Sequence, residues 1–228
     1  MIYAIGDLHL DYTKAKDMKV FGGNWDDYEN KIFTGLKDLK DDDILLIPGD
    51  ICWAMRLEDA KIDLKRIDDM KGKKFLIKGN HDYWWQSFTK IKDLGFESLN
   101  FIQNTSYIVD GVKISGTRGW ISRDHNDFKQ ADEKVYKREL ERLKLSLEDK
   151  KEVDHDLSIV MLHYPPFDKN GLIEEYKDIL LKFGVDIVVY GHIHGENLRN
   201  VFEGEIEGIR FYCVSGDHLD FVPRNIAK

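Results

Sequence analysis

Short apolar runs punctuate the chain at residues 2–5, 44–47, 75–77, 159–162 and 187–189. Runs of that length with no polar position between them predict strands covered on both faces. Between them the apolar spacing changes to that of a helix. Tyr28, Ile32, Phe33, Leu36 and Leu39 predict a helix over 25–39, and Leu57, Ala60, Leu64 and Ile67 predict one over 56–70. A shorter helix is expected at 87–94 and another at 172–183. The longest, over 129–148, carries Tyr136, Leu140, Leu143 and Leu147 as a stripe opposite a solvated Lys/Glu face. The first 77 residues therefore read β-α-β-α-β, the order of a sheet with crossover helices. Later, 106–109 and 112–115 flank Asp110-Gly111, a strong hairpin signal, and 201–214 reads as a second hairpin turning near Glu207-Gly208. Antiparallel pieces in the second half suggest a second, mixed sheet, so two sheets face to face with helices outside are expected.

Composition adds bounds. The 228 residues show no linker, repeat or low-complexity stretch, and the whole chain, 1–228, reads as one α/β domain. The formal charge is −8. That argues against a broad nucleic-acid surface, which needs a basic footprint. Cys52 and Cys213 stand far apart without a CxxC pattern, as expected of two reduced thiols. No apolar run approaches the roughly 18 residues of a membrane span, and no export signal is visible, so a cytoplasmic protein away from membranes is expected.

Each of five apolar runs ends in a polar cluster. The clusters are Gly6-Asp7-Leu8-His9, Gly49-Asp50, Gly79-Asn80-His81-Asp82, Leu162-His163 and Gly191-His192-Ile193-His194. Strands of one layer would bring these to a common rim, where open α/β sheets place ligands. Any one cluster alone is weak, since Gly-Asp is a common turn and a lone histidine is more often a hydrogen-bonded core residue. Together, and in order, they hold donors for two metal ions. Carboxylate, imidazole and amide donors without thiolate suit Mn, Fe, Zn or Co, with manganese favoured. Two such ions can clamp a phosphoryl group and lower the pKa of a bridging water.

The ordered set resembles the motifs DxH, GD, GNH[DE], H and GHxH of the calcineurin-like metallophosphoesterase superfamily, from Asp7 to His194. The resemblance implies a four-layer α/β/β/α sandwich of two mixed sheets flanked by helices. It also implies a dinuclear metal-dependent phosphoesterase in which a dimetal-bridging hydroxide attacks phosphorus. By the same likeness, Asp7, His9, Asp50 and His194 would hold one ion. Asn80, His163 and His192 would complete the other, with Asp50 bridging. His81 would protonate the leaving oxygen. Many family members have GDxxD after the second strand, but Trp53 stands at the last position here. Either another group orients His81, with Asp82 the nearest candidate in sequence, or His81 is less tightly held.

Aromatic residues follow the clusters: Trp53, Trp84, Trp85 and Trp120, the last beside Arg118 and near Arg123. Trp84, Trp120 and Arg118 are candidate substrate contacts, as a wall stacking a flat leaving group with an arginine on a second phosphate. The alternative is ordinary aromatic core beneath the site. His125 and His155 are expected at the surface, and His218 near the rim only as a weaker candidate. The expected substrate is a small phosphomonoester or phosphodiester. The rival readings are a nuclease acting on short nucleic acid and a non-catalytic module that keeps the fold. The oligomeric state is open.

Overall fold

The computed structural model describes residues 1–228, with the surroundings of Gly23 left aside. Its strands are built from the apolar runs. In β2 (Ile44–Ile47) all four side chains are buried because the two faces meet different neighbours. Ile44 and Leu46 face one core, Leu45 and Ile47 another. Strands β1 (Ile2–Ala4), β2, β3 (Lys73–Leu76) and β4 (Leu99–Phe101) run parallel, and β13 (Arg224–Ala227) closes the edge antiparallel to β1.

The second sheet has six strands in the order β11-β12-β10-β7-β6-β5. Its members are β5 (Tyr107–Val109), β6 (Val112–Thr117), β7 (Leu157–Leu162), β10 (Ile187–Tyr190), β11 (Gly204–Ile206) and β12 (Ile209–Cys213). The four inner strands are parallel, and hairpins form both edges. Both hairpin turns lie where expected. Asp110 and Gly111 have φ of 51° and 77°, and Glu207 and Gly208 have 52° and 82°. Positive φ at both central residues is what a tight hairpin turn of the right twist demands.

Three apolar cores separate four layers. The middle one joins the sheets through Ile2, Leu46, Phe75, Ile114, Met161 and Val189. The first outer core packs α1 (Tyr28–Leu36), α2 (Leu57–Asp68) and α3 (Phe88–Lys92) on the five-stranded sheet. The second packs α4 (Asp132–Glu148) and α5 (Glu174–Lys182) on the six-stranded sheet. The α/β/β/α arrangement is thus as expected. Tyr136, Leu140, Leu143 and Leu147 of α4 are all buried, each such side chain contributing about 1.5–3 kcal/mol. In α2 the acidic pair Glu58 and Asp59 opens the helix and Lys65 and Arg66 close it, matching the backbone dipole.

Differences from the sequence expectation are local. The helix expected over 25–39 begins only at Tyr28, because Asp27 takes a left-handed φ of 56°. The helix expected from 172 starts at Glu174, since Gly171–Leu172 (β9) pairs with Phe167–Asp168 (β8). Strands β4 and β13 have no counterpart among the apolar runs. Among the described residues no helix is long and apolar enough to cross a membrane. Cys52 and Cys213 are both free and buried.

Candidate metal centre

The parallel strands β1, β2 and β3 of one sheet and β7, β10 and β12 of the other point their C-terminal ends at one place. The two sheets are stitched there: Gly6 bridges Ser215, and the Gly6 N–H donates to the Val214 carbonyl at 2.6 Å. The chain after β1 also lies along that after β2, with the Asp7 N–H on Gly49 O and the His9 N–H on Asp50 O, both at 3.0 Å. These bonds fix the backbone from which the predicted residues project. Asp7, His9, Asp50 and His192 have φ of 53°, 43°, 49° and 74°. Four non-glycine residues in the left-handed region, at about 1–3 kcal/mol each, are strain of the kind that collects at functional sites. Two glycines make the close approach possible. A Cβ on Gly79 would stand 2.1 Å from Asp50 Oδ1, and one on Gly191 2.4 Å from Asp7 Oδ2.

All seven predicted ligands converge. Asp7, His9 and His194 form one group whose donor atoms lie within 4.8 Å of one another, and Asp7, Asp50 and His163 form another. Asp50 Oδ2 stands 3.7 Å from His9 Nε2 and 3.6 Å from His163 Nε2. Asp7 Oδ1 stands 3.5 Å from His194 Nε2. His192 joins through its ring, whose centroid is 5.1 Å from that of His163. Its N–H also donates to Asp7 Oδ2 at 3.0 Å.

The donor chemistry fits metal ions. His163 Nδ1 is 3.0 Å from Pro48 O, an atom that can only accept, so Nδ1 carries the proton and Nε2 keeps its lone pair. That lone pair meets another acceptor, Asn80 Oδ1, at 2.6 Å. Two acceptors turned toward each other in this way suit a shared cation beside them. His194 repeats the pattern. Its Nδ1 is 2.9 Å from Asp217 Oδ1, while its Nε2 is buried and has no hydrogen-bond partner. A carboxylate on one imidazole nitrogen with the other left bare is how proteins orient a metal-binding histidine.

The electrostatics agree. Burial drives His9 and His192 well below the usual histidine range and His163 to about 4, so these rings are neutral at pH 7. Burial, and after it Asp82 and Asp7, push Asp50 well above the usual carboxylate range. At His194 burial opposes the charge, but Asp7 and Asp217 outweigh it and hold the pKa at about 10. Protons at Asp50 and His194 thus offset crowded carboxylates where bound cations would do so instead.

His81 sits against this cluster. Its N–H donates to Asp50 Oδ1 at 2.8 Å, and its ring lies 4.6 Å from that of Trp53. Trp53 also stacks on His9 at 4.9 Å and 25°. The indole is therefore a wedge between one predicted ligand and the predicted acid. Tyr83 Oη stands 3.5 Å from His81 Nδ1, a long contact. Asp82 does not orient His81. Its Oδ1 accepts from the N–H groups of Ile51 (2.9 Å) and Trp84 (3.1 Å), and its Oδ2 from Gly79 N–H (2.7 Å). It is a staple between two metal-site loops.

The aromatic wall expected of Trp84 and Trp120 is also corrected. Trp84 is 1% exposed in the core beneath the site, with no face open to a ligand. Trp120 is half-buried, its ring covered by the Arg118 guanidinium at 4.4 Å and packed by Tyr164 at 5.4 Å. Arg118 itself reaches Glu139 at 3.5 Å. His125 is exposed as expected, and His218 pairs with Glu203 at 3.6 Å. The residue of that segment that does reach the rim is Asp217. Tyr164, whose ring lies 4.1 Å from that of His192, was likewise not singled out by the sequence.

The calcineurin-like phosphoesterase family model matches residues 1–196, and the chain belongs to that family. It is accordingly a metal-dependent phosphoesterase that works with divalent cations. The fold is similar to that of the phosphopantetheinyl hydrolase of Mycobacterium tuberculosis, at 14% identity and a TM-score of 0.53, covering 94% of this chain and 88% of that one. It is also similar to TT1561 of Thermus thermophilus, at 12% identity and a TM-score of 0.54, covering 95% and 89%. No curated protein matches the chain.

Proposed function

We propose that the chain hydrolyses a phosphodiester or phosphomonoester of modest size with two divalent cations, manganese favoured. Asp7, His9, Asp50 and His194 would hold one ion, and Asp50, Asn80, His163 and His192 the other. The observation that carries this is the pair of imidazoles His163 and His194, each held by an acceptor at Nδ1 while its buried Nε2 finds no donor: that of His163 meets Asn80 Oδ1, and that of His194 has no hydrogen-bond partner. Asp50 suits the shared position because its Oδ2 lies between an imidazole of each set. Asp7 Oδ1 stands 3.8 Å from His163 Nδ1, the nitrogen already tied to Pro48.

Bound cations would polarise the phosphoryl group and lower the pKa of water at the site. The chain's own residues do the rest. A Tyr83 hydroxyl donating to His81 Nδ1 leaves the proton of His81 on Nε2, free for a departing oxygen. Burial lowers the pKa of His81, which makes the protonated ring a stronger acid toward that oxygen. Trp53 holds the ring plane. A cavity of about 370 Å³ opens beside His192, lined by Tyr164, Phe167, Ser122, His125 and Asn197. Its volume suits a small molecule and its aromatic walls suit a flat group, which favours a small phosphoester over a long nucleic acid.

The test is hydrolysis of an aryl phosphodiester, an aryl phosphomonoester and a short single-stranded oligonucleotide by the manganese-loaded protein. Turnover of an aryl ester, stopped by a chelator and by Asp50→Asn, is expected. Cleavage of the oligonucleotide alone would favour a nuclease. No turnover with both ions bound would leave a binding module.

A further inference from the structure

A second cavity, of about 240 Å³, opens one sector along the same rim, at the ends of β3, β4 and β6. It is lined by Lys78, Arg118, Arg138 and Arg142, with Glu139 and Gln103 among its other walls. Four cations facing one carboxylate are out of character for a chain with a formal charge of −8.

The carboxylate is spent. Glu139 is fully buried, accepts from Thr117 Oγ1 at 2.7 Å and Arg142 Nη1 at 2.8 Å, and lies 3.5 Å from Arg118 Nη2 and 3.8 Å from Arg138 Nε. It anchors the arginines without neutralising them. Arg118 Nε is buried and has no partner. Among the described residues no carboxylate pairs with Lys78, which is half-buried. Gln103 Oε1 accepts from Trp85 Nε1 at 3.0 Å, which leaves its NH2 group as a further donor.

Forked guanidinium groups beside an unpaired ammonium are the groups proteins use to bind phosphate and carboxylate. The place matters as much as the charge. The chain from Lys78 runs directly to Gly79 and Asn80, and β6, which Arg118 follows, pairs in parallel with β7, which His163 follows. We propose that this cavity binds a second oxyanion of the substrate, a phosphate or carboxylate remote from the phosphorus attacked at the metal centre. The proposal rests on the phosphohydrolase reading for its link to turnover, and on the cavity alone for anion binding.

The test has two arms, with Lys78→Ala, Lys78→Arg and the more exposed Arg138→Ala compared throughout. In the first, sulfate is titrated into chelator-treated, metal-free protein by calorimetry. Saturable binding is expected, weakened about tenfold or more by Lys78→Ala and by Arg138→Ala and largely kept by Lys78→Arg. Absence of binding, or binding equal in all variants, would overturn the proposal. In the second, manganese-loaded protein is given 4-nitrophenyl alkyl phosphodiesters of graded chain length, ending in a hydroxyl or in a phosphate. At one chain length the phosphate-ended ester should show a higher kcat/KM, lost in Lys78→Ala while turnover of the hydroxyl-ended ester is unchanged. Equal kcat/KM at every length would overturn the assignment to substrate. If neither ester turns over while sulfate binds as expected, the phosphohydrolase reading fails and the anion site stands.

Discussion

Asp217 carries the sharpest consequence of the geometry. Its Oδ1 takes His194 Nδ1 at 2.9 Å and its Oδ2 takes the Gly195 N–H at 3.0 Å, while the far nitrogen of His194 faces Asp7 at 3.5 Å. Asp217→Asn keeps the shape but leaves one acceptor oxygen where two are used. One of the two bonds must break, and the imidazole loses the negative charge that raises its basicity as a ligand. Loss of such an outer partner typically weakens metal affinity by about 10–100-fold, or roughly 1.4–2.7 kcal/mol. The assay is a chelator-buffered manganese titration of the metal-free variant, read by calorimetry and by aryl phosphoester turnover. The half-saturating manganese concentration should rise by that factor, and kcat at saturating manganese should stay within about threefold of the parent. Affinity changed by less than about twofold would refute the role of Asp217 behind His194. A kcat that stays collapsed at saturating metal would instead give it a direct part in the reaction.

Four further outcomes follow from neighbouring contacts. His81→Ala should lower kcat by about 10²–10⁴-fold while manganese affinity in calorimetry is unchanged, and an unaltered kcat would remove His81 from proton transfer. Trp84→Ala should cost about 3–5 kcal/mol in denaturant unfolding with KM unchanged, because the indole is core; Trp53→Ala should lower kcat through its contact with His81. His194 has a folded pKa of about 10 against 6.5 when free, so in the metal-free protein its contribution to stability is full below pH 6.5 and is lost as pH rises toward 10. The metal-free Tm should therefore lose that contribution across this window while the gain in Tm on adding manganese grows, as the cation no longer has to displace the proton. A manganese-induced shift that shrinks with rising pH would contradict this.

The residues that converge were legible in the sequence because their clusters each follow an apolar strand, so knowing the strand ends was nearly the same as knowing which residues meet. Period alone sufficed for β2, β7 and β10, which are buried on both faces. It failed where side-chain direction is set by an irregular loop. Trp84 lies only four residues beyond Asn80, yet its loop turns it inward onto Asp82. Asp82 follows His81 in sequence but spends its carboxylate on the backbone N–H groups of Gly79 in its own loop and Ile51 in another. Asp217 was hidden for another reason. It reaches the rim because β12 pairs in parallel with β10, and nothing in a local hairpin pattern says which strand the hairpin will join. Strand β13, with Ile226 as its only fully buried apolar residue, offers no period at all.

The most direct test of the two-cation centre is anomalous diffraction from crystals of the manganese-loaded protein. The account predicts two peaks, one among Asp7, His9, Asp50 and His194 and one among Asp50, Asn80, His163 and His192, with Asp50 common to both. A single peak, or two peaks that Asp50 does not join, would contradict it.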